Sequence, residues 1–168
     1  MSDFALSWYA LQTRANFEKQ VTAQLDLKGL QNYCPCVPEI HQWADRRKRI
    51  ERPVFPGYVF VRLADTAPAR LMIRETHGAV RILGNADRIE PVPDQEIDSI
   101  MRMLKSPLLC FPHPYLEEGS RVRIRRGALK GVEGVLVRFK NRTRLVVSVN
   151  LLSRSIAADI DAKDVEKC

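Results

Sequence analysis

The sequence predicts an α+β protein, in which a mixed domain of strands and helices precedes a small all-β barrel. Up to Leu104, β-prone runs alternate with amphipathic helical patterns, which is typical of a sheet covered by helices. Beyond Leu104, short runs with an apolar residue at every second position predict strands only. The charge changes at the same point, because residues 1–104 carry 14 basic and 13 acidic side chains while residues 105–168 carry 13 and 7.

The first domain begins with alternating strand and helix signals. Residues 8–13 are apolar and β-prone and predict a strand, and a helix is expected from Asn16, a suitable N-cap, to Gly29, which suits the position after a helix end. Residues 44–46 are the predicted tip of a hairpin. Residues 57–63 are apolar on both faces and predict a central strand.

The remaining elements lead into the barrel. A short helix over 69–76, a strand over 79–83 and an amphipathic helix capped by Asp94 complete the first domain. Residues 105–118 hold three prolines and predict a linker, although their apolar side chains indicate packing. Residues 119–168 predict the barrel.

Period-two alternation in the barrel predicts which side chains point inward. A hairpin turn is expected at 141–143, and the aliphatic set is expected inside with the arginines outside. The predicted inward residues are Val122, Ile124, Val135, Val137, Phe139, Leu145, Val147, Val149, Ile156, Ala158 and Ile160.

Composition excludes several classes of protein. The apolar fraction of 45% and the charged fraction of 28% are ordinary for a globular chain, and no apolar run approaches the roughly 20 residues of a membrane helix. No basic segment precedes an apolar stretch at the start, so a cytoplasmic protein without membrane contact is expected. The four cysteines are then expected to be reduced thiols.

Signatures of catalysis and of cofactor binding are missing from the sequence. Residues 127–134 are glycine-rich but fit neither the dinucleotide fingerprint nor the phosphate-binding loop of nucleotide hydrolases. Cys34, Cys36 and His41 offer three ligands in an unusual spacing, whereas a structural zinc takes four. No nucleophile pairs with a base and no carboxylate cluster could hold two metals, which counts against a nuclease. We expect a protein that is not an enzyme and has no cofactor or metal.

Basic side chains concentrate in one part of the barrel. Residues 121–144 contain nine lysines and arginines and one acid, Glu133. Such a local field favours a phosphate-bearing or acidic partner, and a merely solvated face is the alternative.

Motifs in both halves resemble one known family. Gly127, Lys130, Gly131 and Gly134 punctuate two short strands and resemble the KOW motif. Upstream, residues 55–61 spell Phe-Pro-Gly-Tyr-Val-Phe-Val. Together these motifs resemble the NusG family of transcription elongation and antitermination factors over nearly the whole chain, and its operon-specific paralogues in particular. The resemblance implies an NGN domain with an antiparallel sheet flanked by helices (1–104), a linker (105–118) and a KOW barrel (119–168).

The resemblance also implies partners for the first domain. In the family, an apolar depression docks on the clamp helices of RNA polymerase, and buried core rings are the alternative interpretation of the same residues. The polymerase-binding candidates are Trp8, Phe55, Pro56, Gly57, Tyr58 and Phe60. The positions facing the non-template DNA strand correspond to Arg14, Arg74 and Thr76.

The barrel is expected to recruit a second partner. The family's loop for a small-subunit ribosomal protein or for Rho corresponds here to a segment with Leu151, Leu152 and Arg154. The basic face predicts RNA as a partner, most simply a hairpin of the nascent transcript. Its candidate contacts are Arg121, Arg123, Arg125, Lys140, Arg142 and Arg144. We expect a monomer, and a ribosome-associated RNA-binding module that does not bind polymerase is the competing hypothesis.

Overall fold

The structure is a computed structural model that describes residues 4–85, 87–116 and 119–168. In chain order its elements are β1 (Leu6–Thr13), α1 (Glu18–Leu27), β2 (Gln31–Tyr33), β3 (Cys36–Gln42), β4 (Arg47–Pro53), β5 (Tyr58–Ala64), α2 (Ala67–Arg74), β6 (Ala79–Ile82), β7 (Pro91–Val92), α3 (Asp94–Lys105), β8 (Cys110–His113), β9 (Ser120–Ile124), β10 (Glu133–Phe139), β11 (Arg142–Val149), β12 (Arg154–Ile160) and β13 (Val165–Lys167). These elements confirm the α+β class.

The chain divides into two compact units. The first comprises Met1–Cys34 and Phe55–Asp94, and the second comprises Pro35–Val54 and Gln95–Cys168. The predicted boundaries at 104 and 118 both lie inside the second unit, which also includes the β3–β4 hairpin and nearly all of α3. The domain boundaries taken from the resemblance therefore stay a prediction.

The first unit contains an antiparallel sheet with the order β2-β5-β1-β6, and β7 also pairs with β1. One face of this sheet packs in a core with helices α1 and α2. That core consists of Tyr9, Leu11, Val21, Leu25, Val59, Val61, Leu63 and Ile73. The opposite face carries Trp8, Ala10 and Phe60, because neighbouring strand residues point to opposite sides.

Two helix ends in the first unit show how local sequence sets the boundaries. Asn16 is not the N-cap of α1 as predicted, since it takes the left-handed conformation at φ 65° and Phe17 occupies the cap position. Gly29 does terminate α1 with φ 71°, and its N–H donates to the carbonyl of Asp26 at 3.0 Å. Thr66 caps α2 by accepting the N–H of Ala69.

The second unit contains a six-stranded antiparallel sheet with the order β13-β9-β10-β11-β12-β8. Its edge strand β8 lies inside the predicted linker 105–118, so this linker contributes a strand whose Cys110 pairs with Ala158. The last two linker positions, 117 and 118, lie outside the described residues. The apolar face predicted for β11 and β12 is confirmed, since Leu145, Val149 and Ile156 are fully buried.

The face of β10 differs from the prediction. The turn between β10 and β11 is Lys140–Asn141 rather than 141–143, and Lys140 adopts φ 54°. Phe139 therefore pairs with Arg142, and Val137 pairs with Arg144. Because side chains alternate along a strand, this register places Val135, Val137 and Phe139 on the face opposite Leu145, where Val135 is buried as predicted, Val137 is half-buried and Phe139 is exposed.

Helix α3 and the β3–β4 hairpin complete the second unit. The Arg102 guanidinium donates to the carbonyl of Lys130, and Gln95 lies 3.4 Å from Glu133. The hairpin forms a separate two-stranded sheet in which Gln42 pairs with Arg47. Within the described ranges, no helix has the length and apolar character needed to cross a membrane.

Candidate functional site

The Phe-Pro-Gly-Tyr segment forms a tight turn immediately before β5. Gly57 adopts φ 83°, where glycine is favoured, and its N–H donates to Oε1 of Glu18 at 2.7 Å. The N–H of Thr13 donates to the Gly57 carbonyl at 2.8 Å, and Tyr58 N–H closes the turn onto the Phe55 carbonyl at 3.1 Å. Contacts from α1 and β1 thus fix the turn from both sides.

Three of the predicted polymerase-binding rings are buried. Phe55 is 1% exposed, Phe60 is fully buried and Trp8 is 4% exposed. The Phe55 and Phe60 rings meet edge to face with centroids 6.1 Å apart, which is a typical core geometry. Since Pro56 is exposed and Tyr58 is half-buried, these two side chains are what the turn presents to solvent, and the rings of Phe55, Phe60 and Trp8 do not line an open surface as expected.

The three predicted DNA-facing residues have different environments. Arg14 and Arg74 are exposed, whereas Thr76 is only 2% exposed. The Thr76 hydroxyl donates to the Met72 carbonyl at 2.9 Å and accepts from Lys28 Nζ at 2.9 Å, so it is occupied inside the unit. Thr76 therefore cannot contact a ligand in this conformation.

A basic groove lies beside Arg74. Its volume is about 210 Å³, and it is lined by α2 and β6 residues that include Arg70, Arg74 and Arg81. Arg70 is bound to Asp65, with Nε 2.5 Å from Oδ1, and this contact lowers the pKa of Asp65. Arg81 was not identified from the sequence because a single arginine in a short strand carries no distinguishing pattern.

Most barrel arginines predicted to bind RNA are already paired with protein groups. Arg123 bonds to Glu133, which lowers the pKa of that carboxyl, and Arg125 donates to the Lys163 carbonyl at 2.6 Å. Arg142 and Arg144 both bond to Asp159, as described next. Arg121 and Lys140 are exposed, and no hydrogen bond or salt bridge of their side chains is found in the described part of the chain.

Arg144 lies between two aromatic rings on the outer face of the barrel. Its guanidinium carbon is 4.7 Å from the Phe111 centroid and 4.6 Å from the Phe139 centroid. Arg144 Nε bonds to Asp159 at 2.8 Å and Arg142 bonds to the same carboxylate at 2.9 Å, which lowers the pKa of Asp159. We call Phe111, Phe139, Arg142, Arg144 and Asp159 the Phe139 cluster.

The KOW-like turn is shaped by its glycines. Gly127 and Gly131 both adopt φ 88°, and the Gly131 N–H donates to the Ile124 carbonyl at 2.7 Å. A Cβ on Gly134 would lie 2.5 Å from the Val146 carbonyl oxygen, so only glycine allows β10 and β11 to pair here. The Lys130 side chain is exposed while its carbonyl accepts from Arg102.

The predicted partner loop follows β11 as one short 3-10 turn. Leu152 is 7% exposed and therefore buried, Leu151 is half-buried and Arg154 is exposed. The backbone N–H of Asn150 in this turn faces the carboxylate of Glu96 on α3 and lowers its pKa, against a larger opposite effect of burial. Burial raises the pKa of Glu96.

Metal binding finds no support in the side-chain arrangement. Across residues 4–85, 87–116 and 119–168, no group of three or more His, Cys, Asp or Glu side chains could hold a metal ion. Cys110 and Cys168 are free thiols, and burial raises the pKa of Cys110 to about 11.

Comparisons with known proteins agree with the fold. The family model described as transcription termination factor nusG matches residues 6–101. The transcription termination/antitermination protein NusG of Vibrio vulnificus (strain CMCP6) is 27% identical over 172 residues, with 95% of this chain and 94% of the relative covered. The protein of the same name from Escherichia coli (strain K12) is 29% identical over 174 residues, with 95% of each covered. The solved structure titled "Domain interaction in Thermotoga maritima NusG" has a TM-score of 0.54 at 22% identity and covers 97% of both chains, which shows a shared fold.

Proposed function

The chain belongs to the NusG family, and from that membership we propose that it is a transcription elongation and antitermination factor without enzymatic activity. The observation that carries the proposal is the family match over residues 6–101, together with relatives named for transcription termination and antitermination that align over 95% of the chain. Its partners are RNA polymerase, through the first unit, and nucleic acid.

The polymerase contact is proposed at the Phe-Pro-Gly-Tyr turn. Pro56 and Tyr58 are the accessible side chains there, and the buried pair of Phe55 and Phe60 supports them from below. A half-buried tyrosine beside a proline on a rigid turn suits the groove side of a helix-binding interface, such as one for the clamp helices. Trp8 and Gly57 keep a structural role in this proposal.

Capture of core RNA polymerase by the immobilised full chain tests the contact. Truncation of an interface tyrosine commonly costs about 2 kcal/mol, so Tyr58→Ala is expected to weaken binding about 30-fold. Tyr58→Phe keeps the ring and should bind nearly as well as the parent. Leu27→Ala, at a side chain that is 90% exposed on α1, is the matched control. Equal capture by the Tyr58→Ala variant and the parent would exclude this turn.

The same experiment separates the two functions that the sequence left open. A ribosome-associated KOW module would not retain polymerase in any variant, whereas an elongation factor would. The exposed arginines Arg14, Arg74 and Arg81 are the proposed contacts of the first unit with DNA of the transcription bubble. Charge reversal at Arg74 should weaken binding to an assembled elongation complex more than binding to polymerase without DNA.

RNA binding by the barrel is proposed at the β10–β11 turn. Arg138 and Lys140 are exposed and have no salt bridge in the described part of the chain, and Arg142 keeps 71% of its side chain exposed beside Asp159. Three neutralised phosphates give a log-log salt slope of about −2 to −3, whereas the six contacts expected from sequence would give about −4 to −5. Binding of a nascent-transcript hairpin at 50–300 mM salt measures that slope, and a slope near zero would contradict RNA binding.

The segment that comprises the 3-10 turn with Leu151 and Leu152 and the first residue of β12, Arg154, is the proposed site for a protein partner, either a small-subunit ribosomal protein or Rho. Leu151 and Arg154 are its accessible side chains. Leu151→Ala should reduce copurification of such a partner without changing RNA affinity. A change in RNA affinity alone would assign the loop to the nucleic acid.

A further inference from the structure

Phe139 is a large apolar side chain that the barrel leaves partly exposed to solvent. The register of β10 and β11 turns this side chain to the outer face, where it is 49% exposed at the end of a strand. A single exposed apolar side chain is common on protein surfaces and does not by itself indicate a site. Here its surroundings are cationic rather than apolar, since Arg144 and Lys140 both lie near the ring.

We propose that the Phe139 cluster is a stacking platform for an unpaired nucleobase of RNA. The inference deepens the proposed RNA binding of the barrel and rests on it. It assigns the barrel a ligand class, namely single-stranded or looped RNA with an accessible base, which phosphate contacts alone do not select.

The cluster is rigid beneath the ring. Arg144 is only 20% exposed, is held at 2.8 Å by Asp159 and lies at stacking distance from both Phe111 and Phe139. Two rings and one guanidinium thus form a preorganised stack fixed by a carboxylate. A ligand that stacks on Phe139 would not have to order the layers below it, which lowers the entropy cost of binding.

The charges around the ring match a nucleotide rather than an apolar peptide. Lys140 Nζ is 5.6 Å from the Phe139 centroid, and Arg142 bonds to Asp159 while keeping most of its side chain in solvent. Arg138 on the same strand end is exposed. A base on the ring would place its own phosphate and the neighbouring one within reach of these cations, and aromatic stacking with basic side chains is how single strands are commonly bound.

Base stacking predicts selectivity that phosphate binding does not. In duplex RNA the bases are stacked on one another, so Phe139 could reach no base face, and only the cations would contribute. Stacking on one aromatic side chain is worth about 1–3 kcal/mol per base, or roughly 5- to 150-fold in affinity.

The test compares Phe139→Leu with the parent in the full chain. The probes are a labelled unpaired 12-nucleotide RNA of mixed sequence and the same RNA annealed to its complement, followed by fluorescence anisotropy. Phe139→Leu should weaken binding of the unpaired RNA at least fivefold and change duplex binding less than twofold. Phe139→Trp should retain the affinity of the parent. Phe4→Leu, at a ring that is 58% exposed in the first unit, is the matched control and should change neither.

The outcomes separate this inference from the function on which it rests. If the parent binds neither RNA, the proposed RNA function fails, and the inference fails with it. If the parent binds unpaired RNA and Phe139→Leu binds it equally well with the same salt slope, the platform is excluded while RNA binding stands. Equal loss for the unpaired and duplex probes would also overturn stacking. Tighter binding of DNA of the same sequence would overturn RNA as the ligand.

Discussion

Glu18 is expected to control the turn on which the proposed polymerase contact depends. Its side chain is 5% exposed, and Oε1 accepts the Gly57 N–H at 2.7 Å. Glu18→Ala would leave this N–H without its acceptor in a partly buried site. Hydrogen bonds to charged groups contribute about 1.5–3 kcal/mol, so the free energy of unfolding of the first unit should fall by about 2 kcal/mol. For a unit of this size that corresponds to a decrease in Tm of roughly 10 °C.

Glu18→Gln separates the hydrogen bond from general disruption. Its amide oxygen can still accept from Gly57, so the loss should be about 1 kcal/mol or less. Urea unfolding, followed by amide hydrogen exchange of β1 and β5, locates the effect in the first unit. Polymerase capture should then weaken for the alanine variant and hardly change for the glutamine variant. If the alanine variant is as stable as the glutamine variant and binds polymerase equally, the hydrogen bond does not hold the turn.

Three further substitutions and one chemical modification test the second unit. Gly134→Ala should lower its stability by about 2 kcal/mol in thermal unfolding, because the new Cβ would lie 2.5 Å from a backbone oxygen. Gly127→Ala meets no atom within 4 Å and should cost only about 1 kcal/mol for its φ of 88°, so equal losses would contradict the steric argument. Since burial raises the pKa of Glu96, its carboxyl is destabilising once the pH rises above that pKa. The free energy of unfolding of Glu96→Gln, measured by chemical denaturation, should therefore rise relative to that of the parent as the pH increases from 4 to 8. A difference between the two proteins that stays constant over this range would contradict the prediction. Iodoacetamide at pH 8 should modify exposed Cys168 well before Cys110, because burial raises the pKa of the Cys110 thiol to about 11. Peptide mass spectrometry measures the two rates. Early labelling of Cys110 would indicate that its strand opens.

Local sequence patterns located most elements of the fold. The predicted central strand at 57–63 corresponds to β5, Tyr58–Ala64, and the helix predicted from Asp94 is α3. These signals are local, because alternation and a helix-starting residue before an amphipathic run depend only on neighbours in sequence. The α1 start was misplaced because Asn16 suits both an N-cap and a left-handed residue, and only the surrounding chain selects one.

The face of β10 could not be predicted because strand register is decided by the turn. Lys140 adopts a left-handed conformation that its residue type does not signal, whereas the segment 141–143 looked more like a turn. Because the turn lies at Lys140–Asn141 instead, each β10 residue pairs with a β11 residue that points to the other face than predicted. Phe139 therefore lies on the outer face and not in the predicted interior. The alternation of apolar residues along β10 therefore predicted the wrong side for Phe139, the residue on which the stacking proposal depends.

Burial and pairing of the candidate site also depend on contacts that are distant in sequence. Alternation along residues 57–63 places Tyr58 and Phe60 on one face of the strand, but a pattern within a strand does not say whether that face is covered. Likewise, the sequence does not show whether the Arg144 guanidinium has an acid partner. In the structure it bonds to Asp159, which lies opposite it on β12.

The few acids of the barrel determine where its positive charge is available. Glu133 bonds to Arg123, and Asp164 bonds to Arg126. Asp159 bonds to both Arg142 and Arg144. These carboxylates neutralise much of the face that the sequence predicts to be basic. Arg138 and Lys140 have no acid partner in the described part of the chain and lie at the β10–β11 turn beside the ring of Phe139. Arg121 on β9 is likewise exposed without an acid partner. Because electrostatic attraction to a polyanion is strongest where cations are unpaired and solvent-exposed, the β10–β11 turn is one place on the barrel where such attraction is expected. Local recognition of this kind requires a contact other than charge to fix the register of the strand, and a base stacked on Phe139 would provide it.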